Sequence, residues 1–248
     1  MSQEKPHAIF GISIDGRSQD ELERAIADAL VGESFIRVST INPEFLVRAR
    51  RDDIFMKNLL SADIRVADGS GVVLAGLLSG CGLSRYPGAD LMRFILSEAE
   101  RKGVAVFLAT RDDGLSSYDD VRKTLLTRYP DLVVGGADMD PTSESVPDAV
   151  RESAVVLCNF GAPAQEYFLE SLRGNPGSVR LAVGVGGAFD FMTGRRKRAP
   201  ERMRALGLEW LFRLLVQPGR IGRIWTATVV FPFLRLSDRM KSDRNQER

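Results

Sequence analysis

The sequence contains two cysteines and one histidine. Cys81 and Cys158 lack the paired spacing of a zinc site or of a disulfide framework, which favours a reducing cytoplasm. His7, the single histidine, stands at the start of an apolar run, where the edge of a strand is favoured over a catalytic role. These scarcities disfavour a histidine-based metal site and a Ser-His-Asp triad.

Long hydrophobic runs are also missing. The weakly polar run at residues 224–234 has eleven residues, well short of the ~20 that cross a bilayer. The first residues are too polar for a secretory signal peptide. We therefore expect a cytoplasmic protein that lies on the inner face of the cell membrane, if it meets a membrane at all.

Charge is unevenly distributed, although the net charge of the whole chain is only +1. Residues 195–248 contain 14 Lys+Arg against 5 Asp+Glu, whereas residues 1–194 contain 20 against 28. We predict a core at residues 1–194 and a basic, amphipathic, membrane-associating helical appendage at residues 195–248, with a disordered extreme C-terminus. Such a tail suits an anionic partner such as lipid headgroups, nucleic acid or a phosphorylated substrate.

Short β-branched runs alternate with helical patterns along the core. The predicted strands cover residues 8–14, 35–41, 63–68, 104–109, 131–136, 154–160 and 179–185. The predicted helices cover residues 19–30, 43–60, 89–102, 114–128 and 164–172, and in the appendage residues 200–216 and 220–237. This order predicts an α/β fold, in which a mostly parallel sheet flanked by helices forms a Rossmann-like core with a helical C-terminal appendage.

Polar segments follow several predicted strands and should meet at the carboxyl edge of the sheet. Asp68, in ADGSG, offers a carboxylate that can remove a proton from an attacking hydroxyl, with helix capping as the alternative. Thr40, Asn42, Gln165 and Glu166 offer groups that orient hydroxyl- or amide-bearing ligands by hydrogen bonds. Ordinary capping explains each of these four residues singly.

The segment GVGGAF follows the last predicted strand and contributes Gly184, Gly186 and Gly187. Its glycines can bring the backbone close to a phosphate at a helix N-terminus, or form a plain tight turn. The dinucleotide fingerprint is incomplete, and the segment follows the seventh predicted strand instead of the first. Both observations disfavour an enzyme that depends on NAD or S-adenosylmethionine.

Arginines are the candidate anion ligands. Arg213, Arg220 and Arg223 are seven and three residues apart, so one side of a helical appendage could neutralise a diphosphate without a metal. A solvated basic face is the alternative. Arg85 is either a partner of a phosphate or carboxylate, or a surface charge.

Six segments occur in the order that is typical of one bacterial family, and they span about 180 residues. They are TINPEFLVRARRD, ADGSGVV, RYPGADL, VVLCNFGAPAQEYF, AVGVGGAFDFMTGRRKRAP and LGLEWLFRLLVQPGRIGRI. The chain thereby resembles the WecG/TagA/CpsF family, glycosyltransferase family 26. The resemblance implies an inverting enzyme without metal or cofactor, which transfers a sugar from a UDP-sugar to a polyprenyl-diphosphate-linked saccharide in surface polysaccharide biosynthesis.

The resemblance also implies roles for individual residues. Asp68 stands where the family has its proposed general base. The family's pocket residues and appendage arginines match Thr40, Asn42, Arg85, Gln165, Arg213, Arg220 and Arg223. We predict that these residues, Glu166 and the three glycines of the GVGGAF turn bind substrate. The family's sugars, which are N-acetylmannosamine, its uronic acid and glucose, all stay open.

Four positions depart from the family pattern. Ala164 stands where a lysine is usual, which could alter donor preference. Arg202, Gln217 and Gly219 also differ from the usual residues of the appendage. An anionic membrane surface is the expected partner and nucleic acid is not, while a homo-oligomer stays open. The alternative function is a non-catalytic nucleotide- or lipid-binding module, which would release no UDP.

Overall fold

The computed structural model describes residues 7–217, 219 and 221–246, without the side chains of residues 7, 205, 213 and 239–246. The strands are β1 (His7–Ile9), β2 (Ile12–Ile14), β3 (Ile36–Ile41), β4 (Ile64–Ala67), β5 (Val106–Arg111), β6 (Val134–Met139), β7 (Val155–Cys158) and β8 (Leu181–Gly184). The core helices are α1 (Gln19–Ala29), α2 (Pro43–Ala49), α3 (Asp53–Leu60), α4 (Ser70–Leu77), α5 (Gly88–Lys102), α6 (Tyr118–Arg128), α7 (Asp148–Glu152), α8 (Ala164–Ser171) and α9 (Ala188–Met192).

Six parallel strands form the central sheet, in the order β4-β3-β8-β7-β5-β6. Every residue of β7 and β8 is buried, as expected for parallel strands that are covered on both faces. The chain moves from β5 to β6 in one direction and from β7 to β8 in the other. The loops at the carboxyl ends of β5 and β7 therefore diverge, which opens a crevice there. The predicted α/β class is confirmed.

Three apolar clusters hold the layers together. Helices α1, α5, α6 and α9 cover one face of the sheet, and α7 and α8 cover the opposite face. The third cluster lies beside the β4 edge and joins β1, β2, α2, α3 and α4 to Phe231 of the appendage. Core and appendage are thus packed together through apolar side chains.

The segment predicted as one strand at residues 8–14 is a hairpin instead. Phe10 and Gly11 both have positive φ angles, of 54° and 81°, and β1 and β2 pair antiparallel around them. Two consecutive positive φ values are typical of the tight turns that join hairpin strands. The hairpin lies beside β4, where the Asp15 N–H donates to the Arg65 carbonyl at 2.8 Å.

The helix predicted at residues 43–60 is divided into α2 and α3. Asp52 stands between them in an extended conformation, and its Oδ1 accepts a hydrogen bond from the Phe55 N–H at 2.9 Å. A carboxylate in this position starts a new helix because it satisfies an otherwise unpaired N–H group. Three short helices, α4, α7 and α9, lie outside the predicted helix ranges.

The appendage contains α10 (Glu201–Ala205), α11 (Glu209–Val216), α12 (Ile221–Trp225), a π-helical turn (Thr226–Val230) and α13 (Phe231–Gln246). Gly207, with a φ of 71°, separates α10 from α11, where one helix was predicted. The π-helical turn ends two residues before Pro232, which has no N–H group to donate to the preceding turn. The helix continues to Gln246, past its predicted end at residue 237.

Phe231 is the main apolar anchor of the appendage. Its side chain is only 2% exposed, and its ring meets that of Phe10 edge to face with the centroids 5.7 Å apart. Polar contacts surround this anchor: the Ser70 hydroxyl donates to the Gly207 carbonyl at 3.2 Å, and Arg50 pairs with Asp238. The appendage therefore lies directly against the loop that carries Asp68.

Candidate active site

A cleft of about 450 Å³ opens at the carboxyl edge of the sheet. It is lined by β3 and by the loops that follow β3, β4, β5, β7 and β8, so residues distant in the sequence meet there. Glu209 and Arg223 of the appendage line it as well. Binding sites of open parallel sheets lie at this edge, which makes the cleft the candidate active site.

Asp68 lies in the cleft immediately after β4. The N–H of Gly88, the first residue of α5, donates to Asp68 Oδ1 at 2.8 Å, and the Asp68 N–H donates to the Ile41 carbonyl at 2.8 Å. The interpretation of Asp68 as the cap of the following helix is wrong, because the N-cap residue of α4 is Gly69 and α4 has no side-chain cap. The carboxylate is instead oriented by the first residue of α5.

Glycines allow the Asp68 loop to approach α2. A Cβ atom on Gly69 would lie 3.0 Å from Pro43 Cδ, and one on Gly71 would lie 3.1 Å from Pro43 Cγ. Larger residues would push the loop away from the N-terminus of α2. The segments ADGSG and INPE are thus packed against each other, which fixes Asp68 relative to Asn42.

Thr40 and Asn42 line the cleft from β3 and the residue after it. The Thr40 hydroxyl donates to the Gly184 carbonyl at 3.0 Å, so it links β3 to β8 at the base of the cleft. Asn42 Oδ1 accepts from the Phe45 N–H at 3.1 Å, which confirms the predicted cap of α2. Both side chains therefore have a structural hydrogen bond in addition to their place in the cleft.

Gln165 lines the cleft and is held from two sides. The Gly161 N–H donates to its Oε1 at 3.2 Å, and its Nε2 donates to Glu166 Oε1 at 3.0 Å. Gly184 lies beneath it, because a Cβ atom there would come within 2.4 Å of Gln165 Nε2. Gly184 is thus needed for close packing below the cleft, while Gly186 and Gly187 line the cleft itself.

Glu166 is fully buried and lies outside the cleft lining. Its Oε2 accepts from the Ser39 hydroxyl at 2.5 Å and lies 3.3 Å from Arg37 Nη1, which also donates to the Glu166 carbonyl at 3.0 Å. Burial raises the pKa of Glu166, against the hydrogen bonds from Ser39 and Gln165 and the charge of Arg37, which lower it. Glu166 therefore holds Gln165 in place from the buried side, away from the cleft.

The basic segment RRKRAP contributes two arginines that the sequence analysis did not single out. Arg196 pairs with Asp190 at 3.4 Å, and Arg198 donates to both carboxylate oxygens of Asp90 at 2.9 and 2.5 Å. Burial lowers the pKa of Arg198, but the Asp90 hydrogen bonds and the charges of Asp90, Glu209 and Asp68 raise it overall. Arg198 Nε is buried without a hydrogen-bond partner among the described residues.

Arg111 is a third arginine that sequence reasoning missed. Its N–H donates to Asn159 Oδ1 at 2.7 Å, its Nη1 donates to the Phe160 carbonyl at 3.1 Å, and its side chain pairs with Asp113. These contacts join the loops after β5 and β7 at the point where they diverge. Arg111 could have been found from its position at the end of a strand. The strand was predicted to end at residue 109, whereas β5 continues for two more residues and ends at Arg111.

Arg85 connects the Asp68 loop to the appendage. Its Nε donates to the Asp68 carbonyl at 3.1 Å, its Nη1 to the Arg204 carbonyl at 3.0 Å and its Nη2 to Glu209 Oε2 at 2.9 Å. Arg85 is not among the residues that line the cleft. This geometry suits a residue that positions the Asp68 loop relative to the appendage.

The appendage arginines can be placed only in part. Arg223 lines the cleft, and its Nε donates to Glu44 Oε2 at 2.5 Å. Arg220 and the side chain of Arg213 lie outside the described residues. The prediction that the three arginines share one side of the appendage therefore stays a prediction.

The cleft contains charges of both signs, as four arginines and four acidic residues in the described part of the chain line it. They are Arg111, Arg196, Arg198 and Arg223, and Asp68, Asp113, Asp190 and Glu209. Across residues 7–217, 219 and 221–246, no three His, Cys, Asp or Glu side chains are grouped as ligands of a metal ion. The guanidinium groups of these four arginines can bind an anionic ligand.

The sequence model of the glycosyl transferase WecG/TagA/CpsF family matches residues 7–245. The chain belongs to this family. A relative from Bacillus subtilis (strain 168) is 30% identical over 234 residues, which cover 92% of this chain and 87% of the relative. Its name is N-acetylglucosaminyldiphosphoundecaprenol N-acetyl-beta-D-mannosaminyltransferase. The resemblance found in the sequence is confirmed.

In this WecG/TagA/CpsF glycosyltransferase, the cleft collects most of the predicted site residues. Those that line it are Thr40, Asn42, Asp68, Gln165, Gly186, Gly187 and Arg223. Gly184 and Glu166 support the cleft from below, and Arg85 contacts the appendage. No helix within the described part of the glycosyltransferase is long and apolar enough to cross a membrane.

Proposed function

We propose that the protein transfers a sugar from a UDP-sugar to a polyprenyl-diphosphate-linked saccharide during synthesis of a cell-surface polymer. The relative's name describes an N-acetylmannosaminyl transfer to a diphosphoundecaprenol-linked sugar, which makes N-acetylmannosamine the first sugar to test. The observation that carries the proposal is the oriented Asp68 carboxylate, which shares one cleft with four arginines.

In the proposed reaction, Asp68 accepts the proton of the acceptor hydroxyl. The hydroxyl oxygen forms a bond to the anomeric carbon while the bond from that carbon to the UDP oxygen breaks. UDP departs with the electron pair, and the single displacement inverts the configuration at the anomeric carbon. The hydrogen bond from Gly88 keeps the carboxylate pointed into the cleft during proton transfer.

The arginines of the cleft are proposed to stabilise the departing diphosphate in place of a metal ion. A guanidinium group has five N–H donors, so an arginine paired with a carboxylate can still donate to a phosphate. Arg198 supports this role, because its buried Nε has no hydrogen-bond partner among the described residues. We expect UDP release to continue at its normal rate in excess EDTA, and loss of turnover that Mg²⁺ restores would contradict metal independence.

The test of the function is UDP release from a panel of UDP-sugars with a short-chain prenyl-diphosphate saccharide. Asp68→Asn should lower turnover by about 10²- to 10⁴-fold, the range of general acid–base catalysis. Asp131→Asn, at an exposed site away from the cleft, is the matched control. Wild-type turnover in Asp68→Asn would overturn the role of Asp68. Binding of UDP without UDP release from any donor would favour the binding module.

We further propose that the basic appendage holds the enzyme on the anionic inner face of the membrane. Each basic residue near such a surface contributes about 1 kcal/mol, and this attraction is screened by salt. Lys241→Gln with Arg244→Gln should weaken binding to phosphatidylglycerol vesicles, whereas Arg122→Gln with Lys123→Gln on α6 should not. Equal binding by both double variants would contradict this part of the proposal.

A further inference from the structure

Helix α4 has an unusual outer surface. Residues 69–84 contain no charged residue, and α4 lies within this run. Val72 and Ala75 point into the third apolar cluster, whereas Leu74, Leu77 and Leu78 on the outer side are 56%, 67% and 51% exposed. A surface helix usually has polar residues on its outer side, so α4 resembles a helix that is covered on both sides.

The appendage extends this apolar surface. Helices α4 and α13 are in contact, and Arg235 donates a hydrogen bond to the Ser79 hydroxyl next to Leu78. Phe233 and Leu236 point away from the buried Phe231 and are 69% and 57% exposed. We call these five exposed side chains the apolar face: Leu74, Leu77, Leu78, Phe233 and Leu236. Exposed apolar side chains on two helices that are in contact are typical of a binding surface.

We propose that the apolar face inserts just below the lipid headgroups of the inner leaflet and that the lipid-linked acceptor reaches Asp68 along the apolar face. This inference rests on the proposed function, since it concerns the prenyl chain of the acceptor. Helix α4 starts two residues after Asp68, so the apolar face lies on a helix that begins at the cleft. The core as well as the appendage would then contact the membrane.

Charge favours a bilayer over a second copy of the chain as the occupant. The apolar face includes part of the appendage, which carries 14 basic and 5 acidic residues. Two copies meeting through this face would bring two appendages of the same sign together, which is electrostatically unfavourable. An anionic lipid surface has the complementary charge, and basic residues beside an apolar face are typical of proteins that bind at the membrane interface.

The first test removes the leucines of α4. The triple variant Leu74→Gln, Leu77→Gln and Leu78→Gln should bind vesicles of phosphatidylglycerol and phosphatidylcholine at least about tenfold more weakly in a sedimentation assay. The control carries three comparably exposed apolar residues elsewhere changed to glutamine: Val31, Ile54 and Val133. It should bind like the wild type. The single variant Leu77→Gln, compared by thermal unfolding and vesicle binding, separates loss of binding from loss of folding.

The second test places a fluorophore on α4. Leu77→Cys in a Cys81→Ser background leaves Cys158 as the only other thiol, and burial raises the pKa of Cys158 and prevents its reaction. An environment-sensitive label at position 77 should shift its emission to the blue on addition of vesicles and be quenched by nitroxides on the lipid chains. The same label at Val133→Cys should do neither.

Activity separates this proposal from the proposed function. The triple variant should keep wild-type UDP release with a water-soluble short-chain acceptor and lose most of it with a long-chain acceptor in vesicles. Unchanged vesicle binding by the triple variant, an unresponsive label at position 77, or a vesicle-free dimer that the triple variant dissociates would each overturn the proposal. A wild-type protein that releases no UDP with either acceptor refutes the proposed function, whereas the vesicle and label measurements still decide membrane contact.

Discussion

Replacement of Phe231 by alanine should release the appendage from the core. Phe231 is almost fully buried and packs edge to face on Phe10 within the third apolar cluster. Removal of a buried phenylalanine ring costs about 3–5 kcal/mol, because apolar contacts are lost and a cavity remains. Since 1.4 kcal/mol corresponds to a factor of ten, about 4 kcal/mol would weaken docking by about a thousandfold.

Polar contacts cannot compensate for this loss. Among the described residues, helices α11, α12 and α13 form three ion pairs with the core, which are Arg50 with Asp238, Glu44 with Arg223, and Arg85 with Glu209, and all six side chains are partly exposed. Ion pairs in such positions contribute about 0–1 kcal/mol each. The clusters on the two faces of the sheet contain no residue of the appendage, so we expect the sheet to stay folded.

Hydrogen exchange followed by mass spectrometry measures this prediction. In Phe231→Ala, those amides of α12 and α13 that docking protects should exchange about 10²- to 10³-fold faster. The exchange rates of amides in β5 and β7 should not change. UDP release with a short-chain acceptor should fall in parallel. Phe233→Ala removes an exposed phenylalanine from the same helix and is the control. Unchanged protection of the appendage would refute the reasoning, and equal loss of protection in the sheet would show that core and appendage unfold together.

Three further predictions concern residues around the cleft. Burial raises the pKa of Glu166, so the carboxyl group holds its proton more tightly in the folded protein than in the unfolded chain. The protonated carboxyl group therefore contributes to the free energy of unfolding below about pH 4.3, and this contribution is lost as the pH rises through the raised pKa of the folded state. Glu166→Gln should lose less stability than the wild type between pH 4 and 8 in chemical denaturation, and an equal loss would contradict the raised pKa. Gly184→Ala should destabilise the fold by about 1–3 kcal/mol and lower turnover, because the new Cβ displaces Gln165; unchanged thermal unfolding and kinetics would show that Gln165 adapts. Arg85→Met should lower turnover about tenfold or more through lost hydrogen bonds without changing UDP affinity in calorimetry, whereas weaker UDP binding with normal turnover would identify Arg85 as a direct ligand.

The parallel sheet could be predicted because its strands are short β-branched runs that alternate with helical patterns. A local signal marked the start of α2, where Asn42 caps the helix as expected. The start of α1 was also predicted, and Ser18 caps it. Departures from the prediction came from single residues whose effect depends on the backbone around them. Phe10 adopts a positive φ that its residue type disfavours, and Asp52 starts a second helix inside what reads as one amphipathic pattern.

The location of the candidate site could also be predicted, since residues that follow parallel strands meet at one edge. The partners of individual side chains could not, because they depend on the packing of distant segments. Asp68 accepts from Gly88 of α5, and Arg85 contacts a part of the appendage more than 100 residues later in the sequence. Arg196 and Arg198 were overlooked because their basic segment was read as a break between core and appendage.

The third apolar cluster has a consequence for the synthesis of the chain. Its other buried members lie at or before Leu83, whereas Phe231 leaves the ribosome much later. The buried residues of the sheet clusters all precede residue 190, so the sheet can form while the cluster beside the cleft still lacks its last side chain. A nascent or truncated chain that ends before Phe231 therefore leaves the Phe10 hairpin and α4 uncovered, which makes this surface a site for chaperone binding and for proteolysis.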